Sequence, residues 1–520
     1  MSIIALILLL FVATAGLRLL ADRTGIPLPT LLVLGGLCVA FVPGLPRLQL
    51  DPATIFLIFI PPLLFWASLT TSLRDLKRNF RSIALLAVWM VLLTMTVVAA
   101  VAHALIPALP WALCFVLGAI VSPPDAVAVT ASTRRLKLPR NMLVILEGES
   151  LGNDATALVA YQIALTAAVT GKFSIGHAGT EFLFTSAGGV AIGLATGWCV
   201  GWVRLHMPRS SVAENTISLV SPFFAFIPAD ALGCSGVLAV VTMGLYFGRH
   251  GPRVLTAETR LQGIAMWEVL TFLLEGLIFI LIGLQLPQVV RALEPDALGG
   301  LLRDSAIIVA AMIGARMLWM FPGAYFPRWL DSRLGRRASP YPPWRHLLFA
   351  GWAGIRGGDS LVIALALPYS GLYGAPLPYR DAIIFITFVI ILLTLVGQGL
   401  TLAPAIRLLR IAGGSEEDEE VRHARRTSLR AAAAAIDHFA AEGAAELASA
   451  AELRQITASR LHNLDCHGSA TSTHIRPRLA MLKAAREAVI DLRDRGEIGD
   501  AAMRQLQSEF DHEELLLRQR

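Results

Sequence analysis

Residues 119–129 read AIVSPPDAVAV, in the middle of a long apolar run. Pro123 and Pro124 remove two backbone donors and clash with the turn before them, so the helix must break here. A break at membrane depth is tolerated only where it is buried in protein or lines a cavity. Asp125 follows at once, placed to cap the second half-helix or to hold an ion. Residues 351–362, GWAGIRGGDSLV, carry a second break of the same kind, with four glycines, Arg356 and Asp359.

The surrounding sequence makes both stretches membrane segments. The chain has 520 residues, of which 55% are hydrophobic and 16% charged, against about 25% charged in a soluble protein. The first four hundred residues fall into apolar runs of about twenty, the length a spanning helix needs. Thirteen spans are expected, over residues 2–20, 28–43, 54–70, 83–106, 111–132, 141–170, 182–203, 212–229, 234–248, 264–287, 304–326, 346–368 and 382–404. The first lacks the basic start and cleavage site of a signal peptide and is expected to be retained.

The loops test this count. Alternate loops hold 22 arginines and lysines against 5 in the other set. By the positive-inside rule the heavy set is cytoplasmic, the N-terminus outside and the C-terminus inside. The net charge of +6 then reflects those loops and points to no nucleic-acid partner. Four of the five cysteines lie in apolar segments and none pairs up in an outside loop, so no disulfide framework is expected.

The breaks fall in spans five and twelve. If spans 1–6 and 8–13 are repeats, these are equivalent positions, and an offset of seven spans makes the repeats inverted. Paired broken segments in two inverted halves point to a transporter's binding site. The expected fold is therefore an all-α polytopic membrane protein with crossed discontinuous helices. Residues 1–410 form the membrane domain and residues 411–520 a helical cytoplasmic tail. The tail opens on GGSEEDEE, followed by the alanine-rich helix former at 429–453 and a helical hairpin over 486–510.

Span six contains EGESLGNDATALVA, residues 147–160. Asp154 lies thirteen residues from the cytoplasmic start near Asn141, roughly 20 Å in at about 1.5 Å per residue. Ser150 and Asp154 share a helix face, and Glu149 and Asn153 form a second such pair beside them. Glu147 stands about two turns nearer the cytoplasm, in position to line the way in. A carboxylate at crossed half-helices meets free carbonyls, a hard oxygen environment suited to a small cation. A proton and a monovalent cation would compete for it, and competition plus alternating access amounts to exchange. No serine–histidine dyad or HExxH motif lies within the spans, so no enzyme and no resident cofactor is expected.

These residues resemble a known family. SPPDAVAV, EGESLGNDATALV, FLLEGLIFILIGLQLP and GIRGGDSLVIALALP, in this order over residues 1–410, are similar to the sodium/proton exchanger branch of the cation–proton antiporters. The resemblance implies a homodimer in the bacterial inner membrane, with a six-helix core moving against a dimerisation domain. It implies that Asp154 binds sodium or a proton, and that Ser150, Asp125 and the backbone near Val121 and Ser122 help ligate it. Asn153 fills the place of a second aspartate in electrogenic relatives, which implies electroneutral exchange. Glu149 is expected to pair with Arg356, sharing it with Asp359 three residues along the same helix; Arg316, the other basic residue within a span, is expected in a structural pair without an assigned partner. Three positions depart from the family pattern. Trp66 replaces an acid, Glu275 an asparagine, and Gly358 with Asp359 an apolar residue. Glu275, Asp359 and Glu147 are therefore candidate accessory titrating groups. Sodium is the expected cation; a potassium/proton antiporter of the same fold is the alternative, and a cation channel the remoter one. The tail is expected to be regulatory, through a regulator the sequence does not identify.

Overall fold

The computed structural model describes residues 3–41, 52–125, 128–130, 138–171, 175–208, 210–291, 293, 295–334, 341–368 and 377–411, with scattered positions between 426 and 495. The chain divides into two compact units, Met1–Gly413 and Gly414–Arg520. In the second, residues 426–434 are helical and Arg454 pairs with Asp437 at 2.6 Å. Most of the alanine-rich and hairpin stretches of the tail lie outside the described residues.

The first unit is built of helices, with no strand among its described residues. They are α1 (Ile3–Thr24), α2 (Leu28–Ala40), α3 (Pro52–Thr70), the short α4 (Leu73–Arg78), α5 (Phe80–Leu105), α6 (Trp111–Val121), α7 (Arg140–Thr170) and α8 (Ile175–His206). There follow α9 (Ser211–Ala231), α10 (Gly236–Val254), α11 (Ala257–Arg291), α12 (Pro295–Arg333), α13 (Trp344–Trp352), α14 (Gly358–Leu365) and α15 (Arg380–Leu409). Each expected span falls on one of these helices or on a pair of half-helices. Among the described residues, six segments, within α5, α8, α9, α11, α12 and α15, are long and apolar enough to cross a membrane. Polar residues mark the ends: Ser72, Ser210 and Ser235 accept the N–H three residues on, at the starts of α4, α9 and α10. Such caps satisfy donors that the first turn leaves open.

The helices pack in two groups. In one, α1–α3 gather with α8–α11; in the other, α5–α7 gather with α12–α15. The α2–α11 crossing is closest: a Cβ at Gly36 would run into the Ile280 carbonyl, and one at Gly283 into the Val33 carbonyl. Only glycine lets these two backbones touch.

Both expected breaks lie in the second group. The α6 helix stops at Val121, residues 122–125 are not helical, and 128–130 resume a helix. The α13 helix stops at Trp352, residues 353–357 are not helical, and α14 begins at Gly358. Two helices also contain a wider π segment, Leu85–Met90 in α5 and Thr394–Gln398 in α15. Such segments disturb the regular side-chain order and recur near functional sites.

Candidate functional site

The two breaks touch one another. The Asp125 N–H donates to the Ile355 carbonyl at 2.8 Å, and Arg356 Nη1 donates to the Ser122 carbonyl at 2.6 Å. The π segment of α15 presents Thr394 to the crossing, where its hydroxyl accepts the Arg356 N–H at 3.2 Å. The last carbonyls of a helix lack intrahelical partners, and a cation at that end is favoured by the helix dipole. Arg356 therefore caps the broken end of α6 while only 1% exposed. Gly357 is the point of closest approach: a Cβ there would collide with Asp125 Oδ2. Asp125 Oδ1 in turn accepts the Ala128 N–H at 3.2 Å, capping the resumed helix.

Beside the crossing lies a cavity of about 250 Å³. Its acidic lining comprises Asp125, Glu147, Asp154, Glu275 and Asp359, and no lysine or arginine lines it among the described residues. Ser150 and Thr130 add hydroxyls, and Trp66, stacked on Trp267 with ring centroids 6.1 Å apart, closes part of the opposite wall. Glu147, Ser150, Leu151 and Asp154 follow one another at i, i+3, i+4 and i+7 along α7, a single helix face. Among the described residues, neither hydrogen bonds nor ion pairs engage the Asp154, Glu275 or Asp359 carboxylates. No three of the described His, Cys, Asp and Glu residues are grouped closely enough to hold a metal ion. The acids thus line a cavity and, among the described residues, do not close a cage.

Three expected ligands lie elsewhere. Val121, Ser122 and Asn153 are buried but do not line the cavity. The Ser122 carbonyl is taken by Arg356. Asn153, one residue from Asp154, is turned about 100° around the helix axis; its Nδ2 donates to the Pro124 carbonyl at 3.4 Å. It ties α7 to the break and faces away from the cavity.

The expected Glu149–Arg356 pair is also corrected. Glu149 pairs with Arg316 of α12, with Nη1–Oε1 2.5 Å and Nη2–Oε2 3.0 Å. The Arg316 Nε and Nη2 also donate to the Ala350 carbonyl of α13, at 3.3 and 3.2 Å. The reason is directional. Glu149 shares the face of Asn153, turned from the cavity towards the second helix group, and Arg316 reaches it there. Arg356 sits in non-helical backbone that aims its guanidinium at α6. Sequence reasoning anticipated a structural pair for Arg316 but had no signal for its partner.

Comparisons with known proteins agree with this geometry. Residues 7–408 match the family described as "Sodium/hydrogen exchanger, transmembrane". An uncharacterized Na(+)/H(+) exchanger of Mycobacterium tuberculosis is 34% identical, covering 99% of this chain and 95% of that protein. The sodium, potassium, lithium and rubidium/H(+) antiporter of Bacillus subtilis is 31% identical, covering 94% of this chain and 74% of that protein. Among solved structures, the sodium proton antiporter MjNhaP1 of Methanocaldococcus jannaschii shares the fold, with a TM-score of 0.61 at 20% identity, covering 78% of this chain and 98% of that one. With the match running through every helix of the first unit, the chain is a multi-pass membrane protein of the sodium/hydrogen exchanger family.

Proposed function

We propose that the chain exchanges a monovalent cation, sodium first, for a proton by alternating access, with Asp154 as the shared carboxylate. The observation that carries this reading is the cavity itself. It holds Asp154 without a protein partner, beside Ser150 and Asp125 at the crossing of two broken helices. A carboxylate with no resident counter-charge is neutralised by whatever enters, a cation or a proton. In this reading Asp154 alone, of the three unengaged carboxylates in the cavity, exchanges one cation for one proton, and exchange is electroneutral. The potassium named beside sodium for the Bacillus subtilis relative favours a second reading in which potassium is also carried.

The wider arrangement follows the same reading. Thirteen spans in two inverted repeats, 1–6 and 8–13, place the breaks in matching positions. The N-terminus is outside the plasma membrane, and the tail from residue 411 is cytoplasmic and regulatory. Two copies associate as a homodimer. The cavity runs past Glu147 to Thr70 and Thr71, next to the basic helix α4 with Arg74, Lys77 and Arg78. By the positive-inside rule that end faces the cytoplasm, so this is the inward-facing conformation.

The test is exchange in proteoliposomes under an imposed proton gradient, with lithium, sodium and potassium added in turn. Asp154→Asn is expected to drop exchange to background in a protein that still folds; robust exchange by that variant would refute the site. Clamping the membrane potential with potassium and valinomycin is expected to leave the sodium-driven proton flux unchanged. A strong dependence on the clamped potential would overturn electroneutrality.

A further inference from the structure

The cavity has two walls, and they belong to different helix groups. Asp125, Ser150, Asp154 and Asp359 come from the broken span five, α7 and α14, all in the second group. The facing wall comes from α3 and α11 in the first group, with Leu63, Leu64, Trp66, Thr271 and Ile278. Among its described residues that wall is apolar or neutral except for one carboxylate, Glu275.

Glu275 is held on a rigid support. One residue on, a Cβ at Gly276 would collide with the Thr14 side chain of α1. Two turns on, α11 and α2 touch backbone to backbone at Gly36 and Gly283. Contacts this close resist sliding of α11 along α1 or α2. Among the described residues, the second group meets α11 closely through a side chain and not, as α2 does, backbone to backbone. The close contact there is Gly358 against the Ile278 side chain, which lets α14 reach the cavity wall.

Alternating access needs the site to face one side at a time, and the seam between the groups is where movement is cheapest. If the second group slides, Asp154 and Asp125 travel with it and Glu275 stays behind. Resting on the reading of Asp154 as the exchange site, we propose that Glu275 is a cation-capture residue for one face only. Its carboxylate faces the cation across the cavity in the conformation seen here and loses it when the site is carried to the other side. The charged groups around Glu275 on this cavity are Asp125, Glu147, Asp154 and Asp359, with no base among the described lining residues. Glu275 therefore has no local structural ion pair to explain it among the described residues, and in its ionised form it adds to the attraction felt by an incoming cation. Removing one such charge from a partly wet cavity costs roughly tenfold in affinity.

The test uses the full chain reconstituted in one orientation, with sodium titrated separately from each face. Glu275→Gln is expected to raise the KM for sodium about tenfold on the face to which the cavity opens. The KM on the opposite face and the maximal rate should stay within about twofold of the parent. Glu275→Asp, which keeps the charge one methylene back, is expected to show a smaller rise on the same face. An unchanged KM on both faces, or an equal rise on both, would overturn the proposal. If Glu275→Gln cannot be purified folded, the face asymmetry of Glu275→Asp decides in the same way. Failure of the underlying site reading looks different: exchange would then survive Asp154→Asn, whatever Glu275 does.

Discussion

Breaking the Glu149–Arg316 pair tests which arginine belongs to which partner. Glu149 is 1% exposed and Arg316 is 2% exposed. The guanidinium makes two contacts to the carboxylate and two to the Ala350 carbonyl, tying α7 to α12 and α13. Removing one partner of a buried pair leaves an uncompensated charge and costs about 3–5 kcal/mol. Glu149→Leu and Arg316→Met are each expected to destabilise by about that much. Glu149→Gln, which keeps one acceptor oxygen, should fall at the lower end of that range. Replacing both partners by apolar residues of similar volume is often neutral, so the double variant should recover most of the loss.

A double-mutant cycle in unfolding of the purified protein in detergent measures this directly. The expected coupling between Glu149 and Arg316 is more than about 4 kcal/mol, because two losses of about 3–5 kcal/mol collapse to a small one in the double variant. A cycle between Glu149 and Arg356, using Arg356→Met, should give less than half of that. The result that refutes the reasoning is the reverse order, with Arg356 coupled more strongly than Arg316. Glu149 would then serve the crossing directly, and the bidentate geometry on Arg316 would carry little energy.

Three further outcomes follow from the crossing and the cavity. Gly357→Ala puts a Cβ into Asp125 Oδ2; exchange should fall at least tenfold, while Gly251→Ala, open but for the tip of the Leu255 side chain, should leave it unchanged. Arg356→Gln removes the cation at the end of α6 and should destabilise the protein by about 1.5–3 kcal/mol, the scale of a hydrogen bond to a charged group; a neutral result in unfolding would show that the Ser122 carbonyl needs no cap. On the proposal that a proton and sodium compete for Asp154, lowering the pH raises the protonated share and weakens apparent sodium affinity. The KM for sodium should rise with falling pH, approaching tenfold per unit once the proton prevails, and a KM independent of pH would refute competition at one carboxylate.

Much of this arrangement was legible in the sequence because the bilayer imposes it. Apolar runs of about twenty residues can do little but span, and Pro123–Pro124 and the Gly354–Gly358 region can do little but interrupt. Positions along one helix were legible too, since the spacing of Glu147, Ser150 and Asp154 fixes a common face whatever surrounds it. What local spacing does not encode is which neighbour that face meets. The partner of Glu149 depends on the rotation and depth of α12 relative to α7, so Arg356, nearer in motif, was favoured over Arg316. The same limit hid the fate of the Ser122 carbonyl, which as a bare break looked free for an ion. The π segment that brings Thr394 to Arg356 leaves no signature in apolar periodicity. Nor did the sequence reveal that Glu275 stands on the wall opposite Asp154, since that needs the α2–α11 contact through Gly36 and Gly283.

The separation of charges explains why Asp154 can be left without a partner. Two buried arginines stand close to the crossing, yet neither lines the cavity. Arg316 is spent on Glu149 and Ala350, and Arg356 on the Ser122 carbonyl at the end of α6. Had either guanidinium reached Asp154, the carboxylate would keep a permanent counter-ion and have no need of a proton or a cation. Had Glu149 been left to Arg356 alone, the α6 end would lose its cap and the crossing its main polar tie. The pairing of Glu149 with Arg316 thus releases Arg356 for the backbone, and the backbone crossing in turn positions Asp125 on the cavity of an acid that has no protein counter-ion among the described residues.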